Sequence, residues 1–436
     1  MADALTVMFM PESAYGPTNQ CIGLGAILRG RGHRVVFAAE RSWAGRLAPL
    51  GFDEALVDLA EPDPGASDDA AGQFWIDFIN DTTPEFRKPT VDQLETFIRP
   101  TYQALIDGAR FVEPQLREII GRYRPDVVVE DNVVTFPALM TSPAPFVRIV
   151  SCNPLEMRGP EIAPLFSGYP ADDRDGWAAF LGRFDTVHEQ CWGAFDDWVQ
   201  QQGAPPLPTR NFIHTSAAAN LYVYPQELDY TDRRPLDGSW HRMDSSVRET
   251  DEAWAPPEEW AVRPDGSALI YLSLGSLGAA DIGLLQRLID LLGRTRHRII
   301  VSTGPRAAEI RLADTMVGAE FLPQTRIIPQ VDLVVTHGGN NTVTESLHFG
   351  KPMVVLPLFW DQYDNAQRVH ETGYGRRLPT YGFADDELLD AIEQLLTDPA
   401  VAPRAASTGA AIRARDGLRA GAAVIERVGL DHRTGG

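Results

Sequence analysis

The chain has 436 residues, more than one ordinary hydrophobic core accommodates, so its length predicts two domains of roughly 200 residues each. Hydrophobic residues make up 44% and charged residues 23%, which excludes a disordered or collagen-like chain. With 60 acidic and 39 basic side chains the formal charge is −21, which excludes a general attraction for nucleic acid or anionic lipid.

Three widely spaced cysteines, Cys21, Cys152 and Cys191, cannot form a disulfide framework or a cysteine-based zinc site. The N-terminus lacks the basic and longer apolar stretches of a signal peptide. The sequence also has no run of about 18 apolar residues. We therefore expect a cytoplasmic protein that does not insert into a membrane.

The first half of the chain predicts a parallel α/β domain. An apolar strand over residues 5–9 is followed by a helical pattern over 21–30 and a second strand over 33–38. A strand, a helix and a strand within about 40 residues form a βαβ unit, and hence part of a parallel sheet. Short apolar runs at 126–129 and 146–150 are typical of further buried strands.

A long insertion, roughly residues 66–120, lies inside this half and combines helical periodicity with many aromatic side chains. Residues 226–265 then change character and become rich in Pro, Asp and Arg. Such composition is typical of an interdomain linker with little regular structure.

A second βαβ unit follows the linker, with strands at 268–274 and 297–302 around a helix at 279–292. Two more strands are predicted at 332–336 and 353–356. Between them lies a helix at about 341–349, and a last helix is predicted at 412–428, which could pack on either half.

Two parallel α/β halves joined by a linker predict two Rossmann-like domains that face a cleft. Ligands of such sheets bind beyond the C-terminal ends of the strands. We divide the chain into an N-terminal domain (1–225), the linker (226–265), a C-terminal domain (266–410) and a C-terminal helix (411–436) that can pack back on the N-terminal domain.

The densest group of polar residues, 336–345, lies where a predicted strand ends and a helix begins. Its glycines permit close backbone approach, and the helix N-terminus offers free N–H groups and the positive end of the helix dipole. Asn341 and Thr342 add side-chain donors. The pattern predicts a phosphate site without Lys or Arg, and the alternative is a capped helix with a buried His337.

A second polar pair, Asp361 and Gln362, follows the next predicted strand. A carboxylate beside an amide can hold several sugar hydroxyls, because the first accepts hydrogen bonds and the second both donates and accepts them. A solvated turn is the alternative for this pair.

Taken together, residues 321–365 resemble the nucleotide-sugar signature of the family 1 glycosyltransferases. That family includes UDP-glucuronosyltransferases, plant secondary-metabolite glycosyltransferases and bacterial macrolide or antibiotic glycosyltransferases. The matching positions occur at fixed spacing: Phe321-Leu-Pro-Gln324, His337-x-Gly339-x-Asn341-Thr342, Glu345, Gly350-x-Pro352, Pro357 and Asp361-Gln362. A weaker resemblance covers the whole chain.

The resemblance implies an α/β protein with the GT-B fold and an enzyme that transfers a sugar with inversion, without a metal or a resident cofactor. Its co-substrate would be a UDP- or dTDP-sugar, bound by the C-terminal domain. The N-terminal domain would bind a lipophilic small-molecule acceptor, in natural-product biosynthesis or modification. The sequence does not decide whether the protein forms a homodimer.

The resemblance also implies roles for ten residues of the donor site. Phe321 would stack on the base, Gln324 would hydrogen-bond the base or ribose, and Glu345 would accept hydrogen bonds from the ribose. The residues implied around the diphosphate are Ser276, His337, Gly339, Asn341 and Thr342. Asp361 and Gln362 would hold the transferred sugar.

The acceptor side departs from the family pattern. Members usually place a His after the first strand, polarised by an Asp at a later strand end. Asp131 matches that Asp, but the His position falls on Pro17, which cannot accept a proton. Pro17 and three aromatic residues of the insertion, Phe74, Trp75 and Phe78, are the predicted acceptor contacts.

Three hypotheses remain for this site. Asp131 or Glu12 acts directly as the base. Alternatively, the acceptor needs no strong base, as with an amine or an already ionised phenol or acid. In the third, the chain is a catalytically degenerate partner of another glycosyltransferase, although the intact donor half argues against this.

Overall fold

A computed structural model describes residues 4–61, 81–261, 264–279, 281–304 and 306–435. Two parallel sheets dominate these residues. The first has the strand order β3-β2-β1-β4-β5-β6-β7. Its strands are β1 Thr6–Pro11, β2 Arg34–Phe37, β3 Asp53–Glu54, β4 Val127–Asp131, β5 Phe146–Val150, β6 Ala219–Tyr222 and β7 Trp240–Arg242.

The second sheet has the order β10-β9-β8-β11-β12-β13, the arrangement of a doubly wound Rossmann sheet. Its strands are β8 Leu269–Ser273, β9 Arg298–Ser302, β10 Met316–Ala319, β11 Leu333–Thr336, β12 Met353–Val355 and β13 Gly375–Arg377. All pairings in both sheets are parallel. The sequence prediction of two Rossmann-like α/β domains is confirmed.

Helices cover both faces of each sheet. In the N-terminal half they are α1 Tyr15–Gly30, α2 Thr90–Gln93, α3 Arg99–Tyr123, α4 Pro137–Met140 and α5 Trp177–Gln201. In the C-terminal half they are α6 Gly275–Gly278, α7 Ile282–Leu292, α8 Gln324–Ile327, α9 Asn340–His348, α10 Gln362–Glu371, α11 Asp385–Thr397, α12 Val401–Arg415 and α13 Gly417–Gly435.

Central strands are buried on both faces, which explains their continuous apolar runs. In β1, Val7 and Phe9 pack into one core and Met8 into another, and all three side chains are fully buried. Each such side chain contributes about 1.5–3 kcal/mol relative to exposure. The strands thus fix a rigid frame whose C-terminal ends carry the polar residues.

Helix α1 starts earlier than the sequence suggested. It begins at Tyr15, so Gly16 and Pro17 lie in its first turn rather than in a loop. Pro is tolerated there because the first N–H groups of a helix have no intrahelical partner.

Two differences concern the predicted linker and the C-terminal helix. Strand β7 lies inside the predicted linker and pairs with β6. The sequence did not predict this strand, because its three residues are too few to show an alternation of apolar and polar side chains. The C-terminal helix is divided at Asp416, whose φ of 46° ends α12.

Helix α13 packs on the N-terminal domain. Glu426 accepts from Arg31 at 2.7 Å, and Arg433 donates to Asp126 at 2.6 Å. Among the described residues, no helix is long and apolar enough to cross a bilayer. The same part of the chain holds no group of three or more side chains suited to a metal ion.

Candidate active site

The C-terminal ends of the two sheets meet at a shared interface. Asn153, just beyond β5, donates its backbone N–H to Asp361 Oδ2 at 2.7 Å. Asn340, the first residue of α9, donates its amide to the carbonyls of Ser151 (2.6 Å) and Val223 (2.9 Å). The polar residues predicted on separate strands therefore converge between the domains.

His337 follows β11 and lies between two glycines. A Cβ atom on Gly275 would lie 2.7 Å from its ring, and one on Gly339 would lie 2.5 Å from it. These glycines are required because the ring occupies the space of their side chains. Burial lowers the pKa of His337 to about 4, so the imidazole is neutral and can donate a hydrogen bond without adding charge.

Helices α1 and α9 begin close to each other. Asn341, in the first turn of α9, donates to the Gly16 carbonyl at 3.0 Å and accepts from Gln20. Neither helix has a side-chain cap at its N-terminus. The positive end of the α9 dipole therefore lies beside His337 without a carboxylate in its cap, whereas at the start of α1 the Glu12 carboxylate accepts from the N-cap residue Ala14.

Phe321 lies at the edge of this region and is 55% exposed, which is unusual for a large apolar side chain. Its ring lies 5.7 Å from the ring of Tyr15 of α1. The exposed face is available for stacking.

Glu345, Gln324 and Thr342 form one hydrogen-bonded group behind Phe321. Gln324 donates to Glu345 at 2.7 Å and to the Thr342 hydroxyl at 3.2 Å. Burial raises the pKa of Glu345 to about 7, although Arg248, 3.7 Å away, opposes the rise. The group presents both hydrogen-bond donors and acceptors.

Asp361 and Gln362 lie at the start of α10. Burial raises the pKa of Asp361 to about 6, while the Asn153 N–H opposes the rise. The Gln362 side-chain oxygen accepts from the backbone N–H groups of Leu358 (3.0 Å) and Phe359 (3.2 Å). Gln362 therefore shapes the turn that presents Asp361.

Asp131 ends β4 beside the end of β1, where Glu12 donates its backbone N–H to the Asp131 carbonyl at 2.7 Å. Burial raises the pKa of the Asp131 carboxyl to about 7. Its Oδ2 is buried and has no hydrogen-bond partner within the described ranges. The Glu12 carboxylate instead accepts from Ala14 N (3.0 Å) and Ser13 Oγ (3.1 Å), so Asp131 is the better-placed base.

His33, the histidine nearest to Pro17 in the sequence, cannot replace the usual base. It lies beyond the far end of α1, where it accepts from Leu5 N at 3.1 Å and faces Glu426 at 2.8 Å. Pro17 itself lies in the first turn of α1 and offers no side-chain base.

Four predicted contacts stay predictions. Phe74, Trp75 and Phe78 lie outside the residues that the structure describes, and for Ser276 it gives only the backbone, in α6.

The sequence motifs missed Glu156, which ends a short 3₁₀ turn, Pro154–Glu156, beyond β5. Burial raises its pKa to about 8, and the nearby Asp361 and Asp131 act in the same direction. Its carboxyl is half-buried and hydrogen-bonds no described residue. Only its position shortly after a strand end could have signalled it.

Comparison with known proteins agrees with this geometry. A family model described as erythromycin biosynthesis protein CIII-like, C-terminal domain, matches residues 286–416. The oleandomycin glycosyltransferase of Streptomyces antibioticus is 26% identical over 424 residues, which cover 95% of this chain and 88% of that protein.

Two solved structures resemble nearly the whole chain. The glycotransferase of kitacinnamycin gives a TM-score of 0.68 at 22% identity, covering 98% of this chain and 100% of that one. The glycosyltransferase VinC in complex with dTDP gives 0.63 at 17% identity, covering 98% and 99%. The predicted GT-B fold is confirmed.

Proposed function

We propose that this chain, a family 1 glycosyltransferase related to the macrolide and natural-product nucleotide-sugar transferases, moves a sugar with inversion from a UDP- or dTDP-sugar to a lipophilic small molecule. The paired N-termini of α1 and α9 beside the neutral His337 carry this proposal. They form a diphosphate site in a strongly acidic chain.

The diphosphate would lie across the start of α9. The free N–H groups there, together with the His337 ring and the Thr342 hydroxyl, would donate to its oxygens. Asn341 already bonds Gly16 and Gln20, so it would position α1 over the diphosphate as well as contact it.

The nucleoside would lie against Phe321, with the ribose hydroxyls at Glu345 and Gln324. VinC, a structural relative, was solved with dTDP, and the same pocket would accept either pyrimidine nucleotide. The sugar would reach Asp361, the first polar group beyond β12.

Asp131 would remove the proton from the acceptor as the acceptor oxygen bonds to the anomeric carbon and the nucleoside diphosphate leaves. A pKa of about 7 suits a base that works near neutral pH. The charge of the leaving diphosphate would be stabilised by the helix N-termini, so the reaction would need no metal. Activity should then survive EDTA.

The test is binding followed by transfer. Calorimetry with UDP and dTDP should show binding that competes with the corresponding nucleotide sugars. Mass spectrometry of UDP- and dTDP-sugars mixed with phenols, aromatic amines and macrolides should show one sugar added to an acceptor. Binding of neither nucleotide would overturn the proposal, as would activity that is lost with EDTA and restored by Mg²⁺.

A further inference from the structure

Arg148 is a fully buried arginine one strand away from the proposed base, Asp131. It lies in the middle of β5, and none of its side chain is exposed to solvent. In the parallel pairing of β5 with β4 it stands opposite Glu130, the residue before Asp131. A buried guanidinium is costly unless its charge is compensated, so the groups around it indicate what it does.

Two contacts of Arg148 involve the residues on either side of Asp131. Its Nη1 lies 3.1 Å from Oε1 of Glu130, and it also donates to the backbone carbonyl of Asn132 at 3.1 Å. Arg148 thereby holds the end of β4 from both sides of the proposed base.

Further hydrogen bonds connect this end of β4 to its neighbours. The Asn132 amide donates to the carbonyl of Met10 in β1 at 2.8 Å. The Nε of Arg148 donates to the carbonyl of His214, in the segment before β6, at 2.9 Å. The position of Asp131 therefore depends on contacts that Arg148 makes across three strands.

These contacts do not use the whole charge of Arg148. Its second terminal nitrogen, Nη2, is buried and has no hydrogen-bond partner in the described part of the chain. Burial raises the pKa of Glu130 to about 7, so this carboxyl is only partly ionised near neutral pH. A positive charge that its neighbour neutralises only in part acts on other carboxyls of a low-dielectric interior.

The other titratable groups that act on Asp131 become negative when they ionise. They are the carboxyls and thiols of Glu12, Glu130, Glu156, Cys21 and Cys152. His214 adds no positive charge near neutral pH, since burial lowers its pKa. Arg148 opposes this negative environment, and it lowers the pKa of both Asp131 and Glu156 against the effect of burial.

We propose that Arg148 is a positioning residue for the proposed base, which holds the end of β4 and supplies the positive charge that lets Asp131 ionise while buried. This inference rests on the proposed function and adds a residue to that reaction. Arg148 acts through Asp131, because a fully buried side chain does not reach the acceptor. A guanidinium also stays protonated near neutral pH, so it takes no proton itself.

The pH profile of sugar transfer tests this inference. We would measure kcat/KM between about pH 5.5 and 9.5 with one hydroxyl acceptor for every variant, so that ionisation of the acceptor contributes equally. In the parent the rate should rise near pH 7, as Asp131 ionises. Arg148→Met should move this rise upward by about 1 pH unit, which lowers the rate at pH 7 about 5-fold and restores most of it at about pH 9.

Two further variants change the charges in other combinations. Glu130→Gln removes the carboxylate that Arg148 contacts, so the rise should move to lower pH. The double variant Glu130→Gln/Arg148→Met leaves no unpaired carboxyl at position 130 and should retain an upward shift. It tests the inference if Arg148→Met alone does not fold, which circular dichroism shows.

The matched control is Arg183→Met, which removes an exposed arginine of α5 and should leave the profile unchanged. A purely structural role of Arg148 predicts a rate that falls by the same factor at every pH. That result, a rise that stays at the parent pH in both variants without Arg148, or an upward shift in Glu130→Gln would overturn the inference.

Asp131→Asn separates this inference from the proposed function. The rise near pH 7 should disappear in this variant, because asparagine does not titrate. A parent that transfers no sugar, or a rise that persists in Asp131→Asn, would contradict the proposed function or its base. If the rise depends on Asp131 but does not move in the Arg148 variants, the inference about Arg148 alone fails.

Discussion

In the proposed mechanism Asp131 is the base, and its buried Oδ2 has no hydrogen-bond partner among the described residues. Asp131→Asn should lower kcat/KM for a hydroxyl acceptor about 10²- to 10⁴-fold, since the hydroxyl must lose its proton during transfer. An amine has a lone pair before deprotonation, so its transfer should fall less. Kinetics with a phenol and a matched aniline measure the difference.

The pH profile adds a second readout. With the pKa of Asp131 at about 7, hydroxyl transfer should rise as the pH increases through that value. Glu12→Gln tests the alternative base: because the Glu12 charge helps to raise the pKa of Asp131, this variant should move the rise to lower pH and keep hydroxyl transfer. Equal losses for the phenol and the aniline in Asp131→Asn would contradict a base role.

His337 offers a test of the donor site at the same scale. His337→Ala should weaken UDP or dTDP binding roughly 5- to 150-fold, the worth of one hydrogen bond to a charged group. Because its pKa is about 4, binding should not depend on this imidazole between pH 6 and 8. Calorimetry measures nucleotide affinity in His337→Ala and in the control variant His432→Ala, which changes an exposed residue of α13. Unchanged affinity in folded His337→Ala would reject the role of His337 in donor binding.

The sequence predicted the two helices of the proposed donor site, α1 and α9, but it did not predict the residue at which α1 begins. The sequence placed α9 after β11 because a Gly pair follows an apolar strand. It missed the early start of α1, since Gly16 and Pro17 are more often loop residues. Only the contact between Asn341 and Gly16, from helices more than 300 positions apart, shows that the two N-termini meet.

The start of α9 can be tested with Gly339→Ala. Gly339 has φ −58° and ψ 138°, which alanine adopts without strain, so the backbone tolerates the change. The new Cβ would lie 2.5 Å from His337 Nε2 and displace the ring. Nucleotide binding should therefore weaken, by no more than in His337→Ala.

The matched control is Gly182→Ala on α5, where a Cβ meets nothing within 4 Å. It should leave binding unchanged and stabilise the protein slightly, by about 0.4–1 kcal/mol. Full affinity in Gly339→Ala would show that the ring position is not critical.

At the scale of the molecule, the sequence predicted two domains and a cleft but not how the domains contact each other. Asp364 accepts from the backbone N–H groups of Phe166 (2.6 Å) and Gly168 (2.8 Å), and Arg377 donates to the Gly168 carbonyl at 2.6 Å. These contacts join the segment that contains Phe166 and Gly168 to α10 and β13, about 200 positions away. No local pattern encodes such pairs, which is also why Glu156 carried no sequence signal.

Burial of several carboxyls predicts how stability depends on pH. Among the described residues, burial raises the pKa of Glu130, Asp131 and Glu345 to about 7, of Glu156 and Asp364 to about 8 and of Asp361 to about 6, and it also raises the pKa of Glu12 and Glu113. In the unfolded chain such groups titrate near pH 4, so between pH 4 and 8 the folded state holds more protons. Stability from these groups is complete below pH 4 and is lost progressively from about pH 4 until the pH has passed the folded pKa values of about 6 to 8.

The effect of the buried carboxyls on stability is best measured between pH 6.5 and 8.5, where the buried histidines contribute little. His188, His337 and His348, whose pKa burial lowers to about 4, act in the opposite direction, but mainly below about pH 6.5. One proton difference across one pH unit is worth about 1.4 kcal/mol, and 1 kcal/mol moves the midpoint of a 150–250-residue domain by about 2–4 °C. We therefore expect the thermal midpoint to fall by several degrees from pH 6.5 to 8.5.

Glu156→Gln tests the cause of this fall, because the Glu156 carboxyl hydrogen-bonds no described residue and its main opposite charge is Arg148. The variant should already be more stable than the parent at pH 6.5, where the unfolded parent is ionised at this position, and the difference should widen up to about pH 8. Glu161→Gln, an exposed change a few residues along, should follow the parent curve. A parent midpoint that stays level or rises between pH 6.5 and 8.5, measured by scanning calorimetry, would show that these carboxyls are ionised in the folded protein at little cost.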